Sequence, residues 1–295
     1  MNNQILMNRK SAIIGVDLGG TNMRAGRVVN GEIVKKASRL VPKTDRAEVV
    51  LDDLMATISE VFEPDTQAIG VGVPSLVKPE EGIVYNVQNI PSWEKVYLKD
   101  RLQSYFKVPV FITNDANCFA IGERVFGQGR QYKDFVGLIT GTGLGGGIVK
   151  NGHILSDQNC GAGEFGMIPY LDYNYEFYCS GQFFNHFYNQ DGGVMAKQAS
   201  LGDETALKAF REYGSHLGKA IKVILYAVDP EVIILGGSVS KSFRFYQAAM
   251  WEELRSFPYS VTLENIKVLP SDMQEIAILG AAALCIDAAE LVTNN

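Results

Sequence analysis

Short apolar runs alternate with longer amphipathic segments along the chain. The run AIIGVDLGG (12–20) is rich in β-branched residues and ends in two glycines, which predicts a buried strand and a tight turn. The pair Asn30-Gly31 is flanked by two strand-like segments and predicts a β-hairpin. Residues 46–62 carry apolar side chains at helical spacing, and AIGVGVP (68–74) predicts another strand. This order is typical of an α/β protein.

The same order of elements returns later in the chain. Residues 134–152 predict two strands around a glycine-rich turn, with a second Asn-Gly pair at the end. Strand, glycine turn and hairpin therefore occur near 12–33 and near 134–154, through either an internal duplication or a coincidence between two glycine-rich turns. Residues 75–93 show little periodicity and predict a long loop, which in a compact domain tends to be functional.

The last third of the chain continues the alternation of helices and strands. Residues 206–230 predict a long amphipathic helix, VIILGGSVS (232–240) a strand that ends in a Gly-Gly turn, and residues 274–292 a closing helix. Strands alternating with helices in this way predict an α/β protein with mixed sheets.

Composition and charge exclude several classes of protein. The 295 residues, 46% apolar and 20% charged, suffice for two domains or one large one. A net charge of −6 without a Lys/Arg cluster argues against a nucleic-acid partner. No apolar run approaches the roughly 20 residues of a membrane span, and the start lacks a signal peptide's apolar region. With four scattered cysteines, we expect a cytoplasmic protein with reduced thiols and no membrane partner.

Three glycine-rich turns each follow a predicted strand. Glycine lets the backbone approach a ligand closely, and turns of outward-facing N–H groups form anion-binding concavities. Three of them at the carboxyl ends of strands predict a polyphosphate held between two domains. Neither the P-loop pattern nor a Rossmann G-x-G-x-x-G after the first strand is present, which disfavours those folds.

Five short motifs resemble, in order, the motifs of one family: GVDLGGTNMR (15–24), ITNDAN (112–117), GTGLGGGIV (141–149), GAGEFG (161–166) and LGGS (235–238). The first and third resemble the two phosphate motifs of the actin-like ATPase superfamily, and the last resembles its adenosine motif. Together they resemble the ROK family of sugar kinases and sugar-sensing repressors over nearly the whole chain.

The resemblance implies the actin-like ATPase (ribonuclease H-like) fold, an α/β fold of two related domains. Each domain would have a mixed five-stranded sheet flanked by helices, and the two would close around a central cleft. The expected domains are residues 1–114, joined by the C-terminal helix at about 275–295, and residues 115–274, which carry the nucleotide-binding loops. The family also implies a homodimer.

The resemblance assigns the contacts with ATP and Mg²⁺ to the three glycine-rich turns. These contacts are Asp17, Gly19, Gly20, Thr21 and Asn22 on the first turn, Thr142 and Gly143 on the second, and Gly236 and Gly237 beneath the adenosine. A capping residue on a tight turn is the alternative interpretation of Asp17.

Asp115 is the residue expected to act in catalysis. Phosphoryl transfer to a sugar needs a base that accepts the hydroxyl proton, and a carboxylate at a helix N-terminus beside an Asn suits that task. The alternative is that Asp115 only N-caps the helix 116–126. Asn114 matches the family residue that hydrogen-bonds the sugar.

Met167 departs from the family pattern. The family's Glu, here Glu164, contacts sugar hydroxyls, and a His three residues later binds both the sugar and a structural zinc. Met167 replaces that His, and the segment that follows has no C-x-C and offers only Cys179, with His186 beyond it. Because structural zinc takes four Cys or His ligands, we expect no zinc site.

Three further positions match sugar-contacting segments of the family. EFYCSG (176–181) aligns with the end of the zinc motif and makes Glu176 a sugar-contacting carboxylate. Ser75 stands where the family has Gly near the sugar, and Asn89 either touches the sugar region or shapes its loop.

Aromatic residues are dense between positions 170 and 187. Rings bury a large area, so packing by Tyr173, Tyr175 and Phe177 would stabilise the loop that a zinc ion stabilises in the family. The alternative is that they belong to an ordinary core or a dimer surface.

The function expected from this pattern is ATP-dependent phosphorylation of a hexose at its 6-hydroxyl, as in a glucokinase. An N-acetylhexosamine, mannose or fructose is the alternative substrate, and polyphosphate the alternative donor. A sugar-responsive repressor is disfavoured, because only about eleven residues precede the first phosphate motif, too few for a helix-turn-helix. A non-catalytic sugar-binding relative is the third class.

Overall fold

The computed structural model describes residues 10–87, 90–155 and 159–293. Its contacts divide the chain into two compact units. The first unit comprises residues 1–131, 152–161 and 273–295, and the second comprises residues 132–151 and 162–272. The contacts assign the helix that follows Asn114 to the first unit. The domain boundary expected after residue 114 stays a prediction.

A mixed five-stranded sheet forms the centre of the first unit. Numbered along the chain, its strands are β1 (Ile13–Leu18), β2 (Asn22–Val29), β3 (Glu32–Leu40), β4 (Ala68–Val73) and β8 (Val110–Asn114), in the order β3-β2-β1-β4-β8. Strand β1 is antiparallel to β2 and parallel to β4, which is parallel to β8. Asn30 and Gly31 have φ values of 55° and 81°, which a type I′ turn requires. The first hairpin prediction is confirmed.

Four helices flank this sheet: α1 (Ala47–Ser59), α2 (Leu98–Phe106), α3 (Asp115–Val125) and α11 (Ile276–Thr293). Helix α11 packs directly on β1 and β4, and two glycines permit that approach. A Cβ on Gly15 would lie 2.0 Å from the carbonyl oxygen of Ile278, and one on Gly70 would lie 1.8 Å from that of Ala281. The C-terminal helix therefore packs closely on the N-terminal sheet.

The segment expected to be a loop at 75–93 contains strands. β5 (Leu76–Lys78), β6 (Ile83–Tyr85) and β7 (Lys95–Tyr97) form a small antiparallel sheet. The loop prediction was wrong for β5 and β6, because strands of three residues are too short to show an alternating pattern.

The second unit has a sheet of the same design. β9 (Phe135–Thr140), β10 (Leu144–Lys150), β14 (Val232–Gly236) and β15 (Lys267–Pro270) follow the order β10-β9-β14-β15, and the short β11 (His153–Ile154) falls within the residues of the first unit. β9 is antiparallel to β10 and parallel to β14, which is parallel to β15. Both sheets thus place an antiparallel hairpin before two parallel strands, which confirms the duplicated order.

The helices of the second unit form its apolar core. They are α4 (Tyr175–Tyr178), α5 (Gly181–Tyr188), α6 (Gly192–Ser200), α7 (Glu204–Val228), α8 (Gly237–Ser240), α9 (Phe243–Leu254) and α10 (Ser260–Asn265), and a small hairpin of β12 (Pro169–Tyr170) and β13 (Tyr173–Asn174) precedes them. A Cβ on Gly214 would lie 2.4 Å from the carbonyl oxygen of Tyr246, so this glycine lets α7 and α9 pack closely. None of the helices in the described ranges has the length and hydropathy that a bilayer crossing requires.

Candidate functional site

The first glycine-rich turn joins β1 to β2 and carries Asp17 at its start. The amide of Gly19 donates to the carbonyl of Asn22 at 2.9 Å and closes the turn. Gly20 is partly buried, whereas Thr21 and Asn22 are exposed. A buried strand is therefore followed by a tight turn, as the sequence predicted, and the exposed residues of the turn are at its end.

Asp17 is held by Arg24, the last residue of the first motif, to which the sequence analysis gave no role. Arg24 lies opposite Asp17 in the β1–β2 register and donates to one carboxylate oxygen, Oδ2, from Nε at 3.0 Å and from Nη2 at 2.5 Å. Its Nη1 also lies 3.5 Å from Glu275, which accepts from Lys36 at 2.7 Å. In an antiparallel hairpin, positions at equal distances from the turn lie opposite each other, which pairs positions 17 and 24. The contact between Asp17 and Arg24 could therefore have been predicted from the sequence.

Asn114 and Asp115 lie where β8 ends and α3 begins. The side-chain oxygen of Asn114 accepts from the amide of Asn117 at 2.7 Å, so Asn114 is the N-cap. Asp115 is the first residue of the helix, is exposed, and accepts from the amide of Ala116 at 2.9 Å. The capping role considered for Asp115 thus belongs to Asn114. Asp115 lies at the N-terminus of α3, the positive end of the helix dipole.

Ser75 lies in the turn after β4. Its amide donates to the carbonyl of Val73 at 3.0 Å, and its hydroxyl donates to the carbonyl of Leu76 at 3.3 Å. Both bonds are local, so Ser75 stabilises the turn, and its role as a sugar contact stays a prediction. Asn89 lies outside the described residues.

The second and third glycine-rich turns lie side by side in the second unit, at the ends of the neighbouring strands β9 and β14. Thr142 is exposed, and the amide of Gly141 donates to the carbonyl of Gly143 at 3.0 Å. The hydroxyl of Thr140 donates to the carbonyl of Gly236 at 3.1 Å, which ties the two turns together. Gly237 has φ of 86°, and a Cβ there would lie 2.4 Å from the carbonyl oxygen of Thr140, so the turn requires glycine.

Glu164 and Glu176 lie close to the second glycine-rich turn. The loop of Glu164 is fixed by the amide of Gly146, which donates to the carbonyl of Gly163 at 3.1 Å. Glu176 accepts from the amide of Leu144 at 3.1 Å. Burial, and secondly the charge of Glu176, raise the pKa of Glu164. The two predicted sugar carboxylates are therefore electrostatic neighbours.

Stacked rings hold the segment in which the family has zinc. Tyr170 stacks on Tyr175 with ring centroids 4.4 Å apart, and Tyr173 stacks on Phe177 at 3.9 Å. The hydroxyl of Tyr170 also lies 3.0 Å from Nδ1 of His216. Tyr175 is buried and Tyr173 is 47% exposed, so the rings form a packed cluster with one exposed flank.

The residues at and near the places of the family's zinc ligands are poor ligands here. Met167 is 50% exposed. Burial raises the pKa of Cys179 and favours the thiol over the thiolate that binds zinc. His186 is exposed and packs edge-on against the ring of Phe177. The absence of zinc stays a prediction.

One group of possible metal ligands lies elsewhere in the described part of the chain: His153, Asp287 and Glu290. Nδ1 of His153 lies 2.9 Å from Asp287. The guanidinium of Arg124 lies 3.3 Å from Asp287 and also bonds Glu290. Its positive charge opposes a cation at this position, so we interpret the group as an ion-pair network.

Comparison with known proteins gives a consistent result. A glucokinase of Thermotoga maritima is 30% identical over 308 aligned residues, covering 93% of this chain and 97% of the relative. An N-acetyl-D-glucosamine kinase of Pectobacterium atrosepticum is 30% identical and covers 79% and 86%. The crystal structure of a ROK family glucokinase from Streptomyces griseus, in complex with glucose and AMPPNP, is 27% identical. It superposes with a TM-score of 0.77 and covers 93% of this chain and 99% of its own.

The two duplicated sheets with their glycine-rich turns define an α/β protein of the actin-like ATPase fold, and the similar proteins make it a sugar kinase. The pattern of the ROK family matches residues 13–288, and the chain belongs to that family.

Proposed function

We propose that this kinase transfers the γ-phosphoryl group of ATP to the 6-hydroxyl of a hexose, with Asp115 as the general base. The observation that carries the proposal is the division of roles at the start of α3. Asn114 caps the helix through its side-chain oxygen, while the exposed carboxylate of Asp115 follows it. A base must accept the hydroxyl proton as the new bond forms, and an exposed carboxylate at a helix N-terminus is a suitable proton acceptor.

We propose that three other residues contact the sugar. The side-chain oxygen of Asn114 is engaged in the cap, so its contact with a sugar would come from the amino group Nδ2. Glu164 and Glu176 are carboxylates, and each would accept from a sugar hydroxyl. Glucose is the first candidate and an N-acetylhexosamine the second, supported by the activities of the two relatives at 30% identity.

The proposed donor site takes ATP with Mg²⁺. Gly237 is exposed, and a Cβ there would lie 2.4 Å from the carbonyl oxygen of Thr140, so the turn requires glycine at this position. Asp17 offers a carboxylate, the oxygen donor that Mg²⁺ prefers, and Arg24 occupies only its Oδ2. Oδ1 of Asp17 would therefore hold the metal, against the opposing charge of Arg24. Mg²⁺ bound there would neutralise charge on the donor phosphates.

The testing experiment is a coupled ADP-release assay with ATP and Mg²⁺ against glucose, N-acetylglucosamine, N-acetylmannosamine, mannose and fructose. We expect one sugar to be phosphorylated much faster than the others, with ³¹P and ¹³C NMR locating the phosphate on carbon six. Phosphate on another carbon would contradict the proposed 6-hydroxyl. ADP release with none of the sugars, and no turnover with polyphosphate, would favour a non-catalytic sugar-binding protein, which calorimetry with the same five sugars would detect.

The family membership also supports a homodimer as the assembled state. We expect light scattering on the size-exclusion peak to give twice the chain mass of 32.4 kDa. A peak at the mass of one chain would contradict the dimer.

A further inference from the structure

Gln182 lies in the first turn of α5, directly after Gly181, and nothing in the motifs assigned it a role. Its side-chain amide nitrogen Nε2 donates to two acceptors. One is the backbone carbonyl of Thr142, at 3.3 Å, and the other is Oε1 of Glu176, also at 3.3 Å. One amide group therefore bridges the second glycine-rich turn and the carboxylate proposed to contact the sugar.

Two further bonds tie the same segments together. The amide of Gly181 donates to the carbonyl of Gly141 at 2.7 Å. The amide of Leu144 donates to Oε2 of Glu176 at 3.1 Å. Three backbone groups of the turn, at positions 141, 142 and 144, are thus held from the α4–α5 segment, and the turn has little freedom to move independently of it.

The turn is also shaped to receive the carboxylate of Glu176. A Cβ on Gly143 would lie 2.5 Å from Oε2 of Glu176, so glycine at this position makes room for the side chain. Gly166, in the loop of Glu164, would place a Cβ 3.2 Å from the Cβ of Glu176. The side chain of Glu176 therefore lies against glycines on two segments, and its carboxylate lies against Gly143 in the turn.

Glu176 retains capacity for a ligand despite these bonds. An ionised carboxylate offers about four acceptor positions, and the bonds to Leu144 and Gln182 use one on each oxygen. A sugar hydroxyl can therefore donate to a carboxylate that also holds the turn. A shift of the carboxylate on sugar binding would be transmitted through Gln182 to the carbonyl of Thr142.

We propose that Gln182 is a positioning residue that couples sugar binding at Glu176 to the second glycine-rich turn, where the donor phosphates bind. The inference rests on the proposed function and adds to it a link between the two substrates. Because coupling free energies are reciprocal, the sugar tightens nucleotide binding by the same factor by which the nucleotide tightens sugar binding.

The test is calorimetry on the full chain with glucose (or the sugar that the assay selects) and the non-hydrolysable analogue AMP-PNP with Mg²⁺. Each ligand is titrated with and without the other, for wild type, Gln182→Met, Gln182→Glu and the control Gln247→Met. Methionine keeps the length and helix propensity of glutamine but removes the amide. Gln247 is exposed on α9, so its variant makes the same chemical change away from the turn.

In wild type and Gln247→Met we expect the sugar to tighten AMP-PNP binding about fivefold or more, the lower end of typical couplings. In Gln182→Met we expect this factor to fall below about twofold, with sugar affinity in the absence of nucleotide changed by less than about threefold. Because the coupling is reciprocal, sugar affinity with AMP-PNP bound should fall by the same factor as AMP-PNP affinity with the sugar bound, and KM for ATP at saturating sugar should rise about fivefold, the equivalent of one lost hydrogen bond. In Gln182→Glu we expect the coupling factor to fall further. Its carboxylate would face two acceptors, the carbonyl of Thr142 and the carboxylate of Glu176, and would be repelled by both.

Three results would overturn the inference: a wild type without coupling, a Gln182→Met variant with the wild-type factor, or a loss in that variant of the affinity for each ligand measured in the absence of the other. The last would mean a merely structural residue. A wild type that is inactive with every sugar and donor would instead overturn the proposed function, so the two failures are distinguishable.

Discussion

Arg24 donates two hydrogen bonds to the same carboxylate oxygen of Asp17, from Nε at 3.0 Å and from Nη2 at 2.5 Å. The acidic residue of the first glycine-rich turn is therefore paired with a cationic side chain. The side chain of Asp17 is 18% exposed and that of Arg24 is 42% exposed. The pair thus orients Asp17 and adds positive charge to the proposed phosphate site.

We predict that Arg24→Met lowers the Mg²⁺ concentration needed for half-maximal activity, because a positive charge beside Asp17 opposes a second cation. The same variant should lower kcat about tenfold, since Asp17 loses the bonds that orient it. A magnesium titration of the ADP-release rate measures both effects.

The control for this prediction is Arg39→Met. Arg39 is 39% exposed on the neighbouring strand and donates to Glu60 at 2.7 Å, so Arg39→Met also removes a partly exposed arginine from an ion pair, here one worth at most about 1 kcal/mol. An unchanged magnesium dependence in Arg24→Met would show that the pair has no influence on the metal.

Asp115→Asn should lower kcat by about 10² to 10⁴, the range that a general base contributes, while the calorimetric affinity for the sugar changes little. Asparagine keeps the size of the side chain but cannot accept the proton. Asp100→Asn is the matched control, because Asp100 is also exposed in the first turn of a helix, α2. If Asp115→Asn retained a rate near that of wild type, Asp115 would not be the base.

Gly237→Ala should weaken nucleotide binding about tenfold or more, because its Cβ would lie 2.4 Å from the carbonyl oxygen of Thr140 and displace the turn. Gly202→Ala provides the comparison. Gly202 has the same φ of 86°, but a Cβ added there would meet nothing within 4 Å, so that variant carries only the conformational penalty of roughly 1–2 kcal/mol. Thermal unfolding and AMP-PNP titrations distinguish the two. Equal behaviour of the variants would mean that the turn tolerates a side chain.

Glu164→Gln should make the protein more stable near pH 7 and bind the sugar about tenfold or more weakly, as expected for a lost charge-assisted hydrogen bond. Burial and the charge of Glu176 raise the pKa of Glu164 above its usual 4.5. Between 4.5 and that raised pKa the folded chain binds more protons than the unfolded chain, so stability falls as pH rises through this window.

The Tm of Glu164→Gln should therefore exceed that of wild type at pH 7 and match it at pH 4, where the carboxyl group is protonated in both states. Glu252→Gln, an exposed position on α9, should leave Tm and sugar affinity unchanged at both pH values. A Glu164→Gln variant that is less stable than wild type at pH 7 would contradict the inferred repulsion.

Purified protein should contain well under one zinc per chain, and a zinc chelator should leave Tm unchanged. Stacked pairs such as Tyr170 with Tyr175 hold the segment by packing. Tyr175→Ala should therefore lower stability by about 3 kcal/mol or more, as other large-to-small core changes do. Elemental analysis that found one zinc per chain would overturn the prediction that the protein holds no zinc.

Local sequence was sufficient for the parts of the fold that depend on neighbouring residues. The pair Asn30-Gly31 formed its hairpin because both φ values are positive there. The strand and helix around Asn114 followed from apolar periodicity and capping chemistry. The family was readable as well, because its motifs are short glycine-rich turns whose backbone geometry leaves a direct mark on the sequence.

Packing in three dimensions determined which distant side chains meet. Arg24 contacts Glu275, 251 positions away, and Glu176 holds the amide of Leu144, 32 positions away. Hydrogen bonds of this kind depend on how sheets and helices pack, and neither periodicity nor local propensity encodes that packing. For the same reason the bridge made by Gln182 between Glu176 and Thr142 left no motif in the sequence, although it joins two of the segments that the motifs had identified.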